Sequence, residues 1–113
     1  MTQAQALGLT LLFEVPLVLA LAARWRPPWG RLALVACAAS LLTHPFAWNG
    51  IRHLDALPFW ARAALFETAV ALVEGAMYAR LVPLGWRRGL LLGVAANAFS
   101  FGLGLVLSRM GWV

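Results

Sequence analysis

Lysine is absent from this chain of 113 residues, cysteine occurs once, and only four residues are acidic. The lone cysteine, Cys37, excludes an intramolecular disulfide and is read as a small packing residue. Charged residues make up 12% of the sequence, where a soluble domain carries about a quarter, and this scarcity excludes an ordinary water-soluble fold. Glycine-rich phosphate-cradling loops are missing, as are the ExxH and HExxH spacings of helical metal sites. The net charge of +5 does not point to nucleic acid, because the nine arginines flank apolar stretches and build no basic surface interleaved with aromatics. No nucleic-acid partner is expected.

What is abundant is apolar: 63% of the residues are hydrophobic. Four stretches, approximately 5–23, 31–48, 60–82 and 89–108, each come close to the roughly 20 residues a helix needs to cross a bilayer. The tryptophans Trp25, Trp29, Trp48, Trp60, Trp86 and Trp112 lie at the ends of these stretches, where an amphipathic ring prefers the headgroup layer. Residues 1–9 contain no basic residue, and Glu14 and Pro16 interrupt the first apolar run, so that run is expected to be a retained span and not a cleaved signal.

The expected fold class is all-α: a single domain over 1–113, an integral membrane four-helix up-down bundle in contact with the lipid bilayer. Arg26-Pro27-Pro28-Trp29-Gly30 and Pro83-Leu84-Gly85 break the helices into antiparallel neighbours. Residues 49–59, opening on Asn49-Gly50 and closing on Pro58, form the one connection long enough to fold over the bundle, either as a lid or lying along the interface. Arg24, Arg26 and Arg31 between the first two spans, and Arg80, Arg87 and Arg88 between the last two, set those connections on the cytoplasmic side. The termini are then outside, against a smaller contribution from Arg52, Arg62 and Arg109. Exclusive use of arginine fits a GC-rich bacterial genome, hence a bacterial inner (cytoplasmic) membrane.

Three of the four acidic residues, Glu14, Glu67 and Glu74, fall within the apolar stretches, where a charged side chain costs on the order of 3 kcal/mol even on lenient insertion scales. Helical spacing groups Gln3, Thr10 and Glu14 on one face; Ala33, Cys37, Ser40 and His44 on a second; Ala64, Glu67, Ala71, Glu74 and Tyr78 on a third; and Gly93, Asn97, Ser100 and Gly104 on a fourth. Turning all four stripes inward builds a column of polar groups from the outer face past the midplane. Pro16 and Pro45 each free a carbonyl one turn earlier, near Leu12 and Leu41, beside that column.

Plainer roles exist for most members. Asn97, Ser100 and Thr10 suit interhelical hydrogen bonds, Gly93, Gly102 and Gly104 suit close helix approach, Tyr78 and His44 suit the interface, and His53 and Asp55 suit a solvated loop. Three glutamates facing an imidazole and an amide are a costly way to hold helices together, and intramembrane ionisable residues mark function by default. The candidate ligand- or proton-binding set is Glu14, Glu67, Glu74, Asn97, Ser100 and Tyr78, and the candidate metal set is Glu14, His44, Glu67 and Glu74. Carboxylates with one imidazole suit a divalent metal ion such as zinc, manganese or iron better than copper(I).

The reading that follows is a small membrane protein that binds or transports a small cation, a metal ion or one exchanged for protons. An intramembrane, metal-dependent enzyme and a small assembly subunit of a larger membrane complex are the alternatives. A homodimer, or a partner membrane protein, is expected because four helices alone make a thin wall around a path.

Overall fold

The computed structural model describes residues 2–53 and 56–111, with Arg52 and Ser108 described by their backbone alone. Asp55 and Trp112, to which the sequence assigned a loop and a belt position, lie outside the described residues, as does the side chain of Arg52. Four helices account for the structure: α1 (Gln3–Ala22), α2 (Trp29–His53), α3 (Phe59–Leu81) and α4 (Trp86–Arg109), with a 3-10 turn, Ala23–Trp25, closing α1. The described residues form no strand. The all-α, four-helix expectation holds.

Local chemistry explains the helix ends. Thr2 caps α1 in a reciprocal box: its hydroxyl accepts from the Gln5 backbone N–H at 3.1 Å, and the Gln5 side chain accepts from the Thr2 N–H at 3.0 Å. Between α3 and α4 the chain turns at Gly85, whose φ of 86° lies in the left-handed region that only glycine enters freely. Both Pro16 and Pro45 sit inside continuous helices.

The connection expected over 49–59 is shorter than the sequence suggested, because α2 continues through Asn49-Gly50 to His53. Tertiary contacts override the turn signal. The ring of Phe66 on α3 occupies the space a Cβ at residue 50 would need, so glycine there lets the ring lie against the α2 backbone. Arg62 Nη1 donates to the Ile51 carbonyl at 2.6 Å, and His53 Nδ1 lies 2.9 Å from the Asn49 carbonyl. A guanidinium on one of the last carbonyls of a helix both satisfies an orphan acceptor and opposes the macrodipole. The connection that remains is short and carries Pro58 into α3.

Helices adjacent in sequence pack together, and α1 closes the ring against α4. The closest seam joins α3 and α4. A Cβ built on Gly93 would stand 2.5 Å from the Ala71 carbonyl oxygen and 2.6 Å from the Gly75 nitrogen. One on Gly89 would stand 2.5 Å from the Ala79 nitrogen. Pairing 71 with 93 and 79 with 89 means that these two helices run in opposite senses. Close approach was expected of Gly93, Gly102 and Gly104, but only Gly93 serves it, since Cβ atoms at 102 and 104 meet nothing within 4 Å. Gly75 and Gly89 complete the seam in their place. Gly102→Ala is therefore expected to leave the thermal unfolding midpoint unchanged or slightly raised, since alanine favours helix by up to about 1 kcal/mol over glycine; a clear fall would show that position 102 is packed.

An apolar core lies at one end of the bundle, where Val18 and Ala22 of α1 meet Leu32, Val35 and Ala36 of α2, Tyr78 and Val82 near the end of α3, and Leu92 and Ala96 of α4. Beyond it Trp25 lies between the guanidinium groups of Arg24, 5.3 Å from the ring centroid, and Arg88, at 5.1 Å. The outer surface is apolar, with Leu12, Leu34, Leu42, Leu72 and Val94 more than half exposed.

Three helical segments are long and apolar enough to cross a membrane: Gln3–Trp25, Trp29–Ile51 and Trp86–Leu107. α3 falls outside that group, although the sequence pointed to four spans. Any 18-residue window along α3 holds three charged residues, Glu67 and Glu74 together with Arg62 or Arg80. Trp48, expected at a helix end, lies instead within α2 and faces the interior.

Candidate functional site: a polar cavity between the four helices

Every helix contributes to one cavity of about 440 Å³. α1 lines it with Ala6, Thr10 and Glu14, spaced by one helical turn. α2 presents Ser40, His44 and Trp48 at the same spacing, flanked by Thr43, Ala47 and Ile51. α3 adds Glu67, Val70 and Glu74, with Phe59 at its start, and α4 adds Asn97, Ser100, Phe101, Gly104 and Leu105. The cavity lies in the half of the bundle that the apolar core leaves free.

The floor is made of hydrogen-bonded pairs. Ser40 Oγ donates to Glu14 Oε2 at 3.0 Å, joining α2 to α1. Asn97 Nδ2 donates to Glu74 Oε1 at 2.6 Å, joining α4 to α3, and also to the Gly93 carbonyl at 2.8 Å. Glu14 and Ser40 are 2% exposed, Glu74 1% and Asn97 5%. Beside Ser40, the Thr43 hydroxyl turns back onto the Ala39 carbonyl at 2.8 Å and is thereby satisfied within its own helix. Two lining atoms are buried with no hydrogen-bond partner, Glu74 Oε2 and His44 Nδ1. An unsatisfied buried polar atom costs about 1–3 kcal/mol, so these two are the natural seats for water or a ligand donor.

Exposure rises away from the floor. Glu67, Thr10, His44, Trp48 and Ser100 are half-buried, and Phe59 and Gly104 are exposed. The His44 and Trp48 rings stack with centroids 5.9 Å apart. Lining groups thus pass from carboxyl and amide at the bottom to aromatic and aliphatic at the top.

Of the residues singled out from sequence, Glu14, Glu67, Glu74, His44, Asn97, Ser100 and Thr10 all reach this one cavity. Tyr78 does not line it; the phenol is 1% exposed within the apolar core, and its hydroxyl has no hydrogen-bond partner. Gln3 and Cys37 do not line it either. The aromatic wall went unread in the sequence. Trp48 and Phe101 carried a legible signal, one turn beyond His44 and directly after Ser100, but Phe59 carried none.

Among the described residues, no three His, Cys, Asp or Glu side chains come together as a metal ion requires. The metal set Glu14, His44, Glu67 and Glu74 shares the cavity without converging. Its two deepest members already hold hydrogen-bond partners, Glu14 in Ser40 and Glu74 in Asn97. The expectation of zinc, manganese or iron therefore has no donor geometry behind it among the described residues of this structure.

Comparison with protein-family models, with curated proteins and with solved structures finds no match for this chain. The chemistry of the cavity is the guide to function: three carboxyl groups, one imidazole and no arginine among the described lining residues.

Proposed function

We propose that all four helices cross a membrane as an up-down bundle, and that the cavity binds a small cation in competition with protons as one step of its passage across that membrane. The observation carrying this reading is that Glu14, Glu67 and Glu74 all line one cavity whose described lining residues include no arginine. A field of one sign in a low-dielectric pocket attracts the opposite charge.

α3 joins the bundle as a spanning helix on this reading, because its two glutamates turn towards the cavity and its arginines sit near its ends. The clustering of Arg24, Arg26, Arg31, Arg80, Arg87 and Arg88 supports a cytoplasmic position for the apolar-core end. The cavity then opens outward, on the side of the termini. The proposal sets the protein in a bacterial cytoplasmic membrane as a homodimer, which would thicken a wall only four helices deep.

Competition with protons gives a sign. A carboxyl group that carries a proton cannot also neutralise a bound cation, so apparent affinity should fall as pH falls and recover as it rises. Titrating methylammonium into the protein in lipid nanodiscs, by calorimetry at several pH values, measures this directly. Affinity that is the same from acid to alkaline pH would sink the exchange reading, and stoichiometric zinc at higher affinity than methylammonium would replace it with a metal site.

A further inference from the structure

We infer that the arginine-rich end of the bundle is a binding site for an anionic phospholipid, whose phosphate is held by Arg24, Arg80 and Arg88. This rests on the membrane-spanning reading and is independent of what the cavity binds.

Six of the nine arginines, Arg24, Arg26, Arg31, Arg80, Arg87 and Arg88, lie in or within one turn of the two connections at the apolar-core end, and all six are exposed. The chain supplies no acidic counter-ion there. Of its four acidic residues, Glu14, Glu67 and Glu74 line the cavity, and Asp55 falls in sequence between the far ends of α2 and α3. Like charges gathered without a carboxylate repel one another, so this end attracts negative charge from outside the chain.

Two tryptophans do the gathering. Trp25 packs against the apolar core, and over its ring stand Arg24 at 5.3 Å, from the turn closing α1, and Arg88 at 5.1 Å, from the first turn of α4. Arg80, near the end of α3, stands 6.0 Å from the ring centroid of Trp86, which opens α4. Three segments of the chain thus bring guanidinium groups to the start of one helix. Stacking engages the flat face of a guanidinium and leaves its N–H edge for a phosphate oxygen. The turn that carries Arg24 is held in shape, since the Arg26 N–H donates to the Ala23 carbonyl at 3.2 Å and Pro27 and Pro28 follow.

The surroundings select a lipid over a soluble anion. Exposed Trp29 and Trp86 accompany the arginines, and one turn further along α2 and α4 Leu34 and Leu91 are exposed as well. Such a surface meets a phospholipid along its length, with arginine on phosphate, indole at the ester layer and leucine on the acyl chain. A soluble anion would use only the first of these. A zwitterionic headgroup brings its own cation beside the arginines, which favours a phospholipid of net negative charge.

The test is native mass spectrometry of the full chain in a non-ionic detergent with added dioleoylphosphatidylglycerol or dioleoylphosphatidylcholine. The glycerol lipid is expected to bind at a concentration at least tenfold lower than the choline lipid. Arg88→Gln should weaken that binding about fivefold, the worth of one basic side chain near an anionic surface. Arg109→Gln, which removes the same charge at the far end of α4, should change it less than twofold. Equal binding of the two lipids, equal losses in the two variants, or displacement of the lipid by inorganic phosphate would each overturn the site. Should Arg88→Gln fail to fold, Arg24→Gln reads the same contact on Trp25. A chain that stays in solution without detergent would bring down the membrane reading and the lipid site with it, whereas loss of methylammonium binding alone would bring down only the cation reading.

Discussion

Glu14→Gln and Glu67→Gln are each expected to lower methylammonium affinity a hundredfold or more while the protein remains folded. In the parent, Glu14 Oε2 accepts from Ser40 Oγ at 3.0 Å, and a glutamine carbonyl oxygen can accept the same bond in the same place. Shape and hydrogen bonding survive; the charge does not. Removing one partner of a close, desolvated charge pair costs about 2–5 kcal/mol, which covers the hundredfold expected. Glu67 stands higher and half-buried, so its replacement disturbs packing even less. Calorimetric titration against the parent, with helical content and melting followed by circular dichroism, separates lost binding from lost structure. If both variants bind as the parent does, the cavity is not the site.

The second large effect is on stability. Gly93→Val is expected to lower the unfolding midpoint by roughly 10 °C or more, from a cost on the order of 3 kcal/mol or above. Even the first carbon of the new side chain would stand 2.5 Å from the Ala71 carbonyl oxygen and 2.6 Å from the Gly75 nitrogen. Backbone cannot rotate out of the way as a side-chain tip can, so α3 and α4 must separate along the seam. Separation would also strain the bond from Asn97 Nδ2 to the Gly93 carbonyl, and with it the grip on Glu74. Melting of Gly93→Val beside Gly102→Ala is the informative comparison, because the two glycines are near in sequence and opposite in surroundings. Equal melting of both would contradict the seam.

The residues that sequence made legible were those whose chemistry conflicts with an apolar neighbourhood. Glu14, Glu67, Glu74 and Asn97 are each costly outside a polar interior, and helical periodicity alone was enough to turn them towards one another. What stayed hidden depended on contacts between elements distant in the chain. Asn49-Gly50 reads as a turn until Phe66 and Arg62 arrive from α3 to hold it as helix. Glycine spacing marks a chance for close approach without naming the helix that takes it, so Gly102 and Gly104 looked like Gly93. Likewise, a set of carboxylates and an imidazole on facing helices reads as a metal site from spacing alone, whereas among the described residues no three His, Cys, Asp or Glu side chains come together.

The α3–α4 seam also governs how this molecule can change shape. Two helices whose backbones touch at Gly75, Gly89 and Gly93 have no side-chain layer over which to slide, and they behave as one stiff plate. α1 meets its neighbours over much smaller contacts, carries Glu14, and has Pro16 two residues further along, where the helix ladder lacks a bond. If the cavity passes cations as proposed, the movement that exposes the carboxyl floor to the opposite side of the bundle falls to α1, swinging as a single post against a fixed wall.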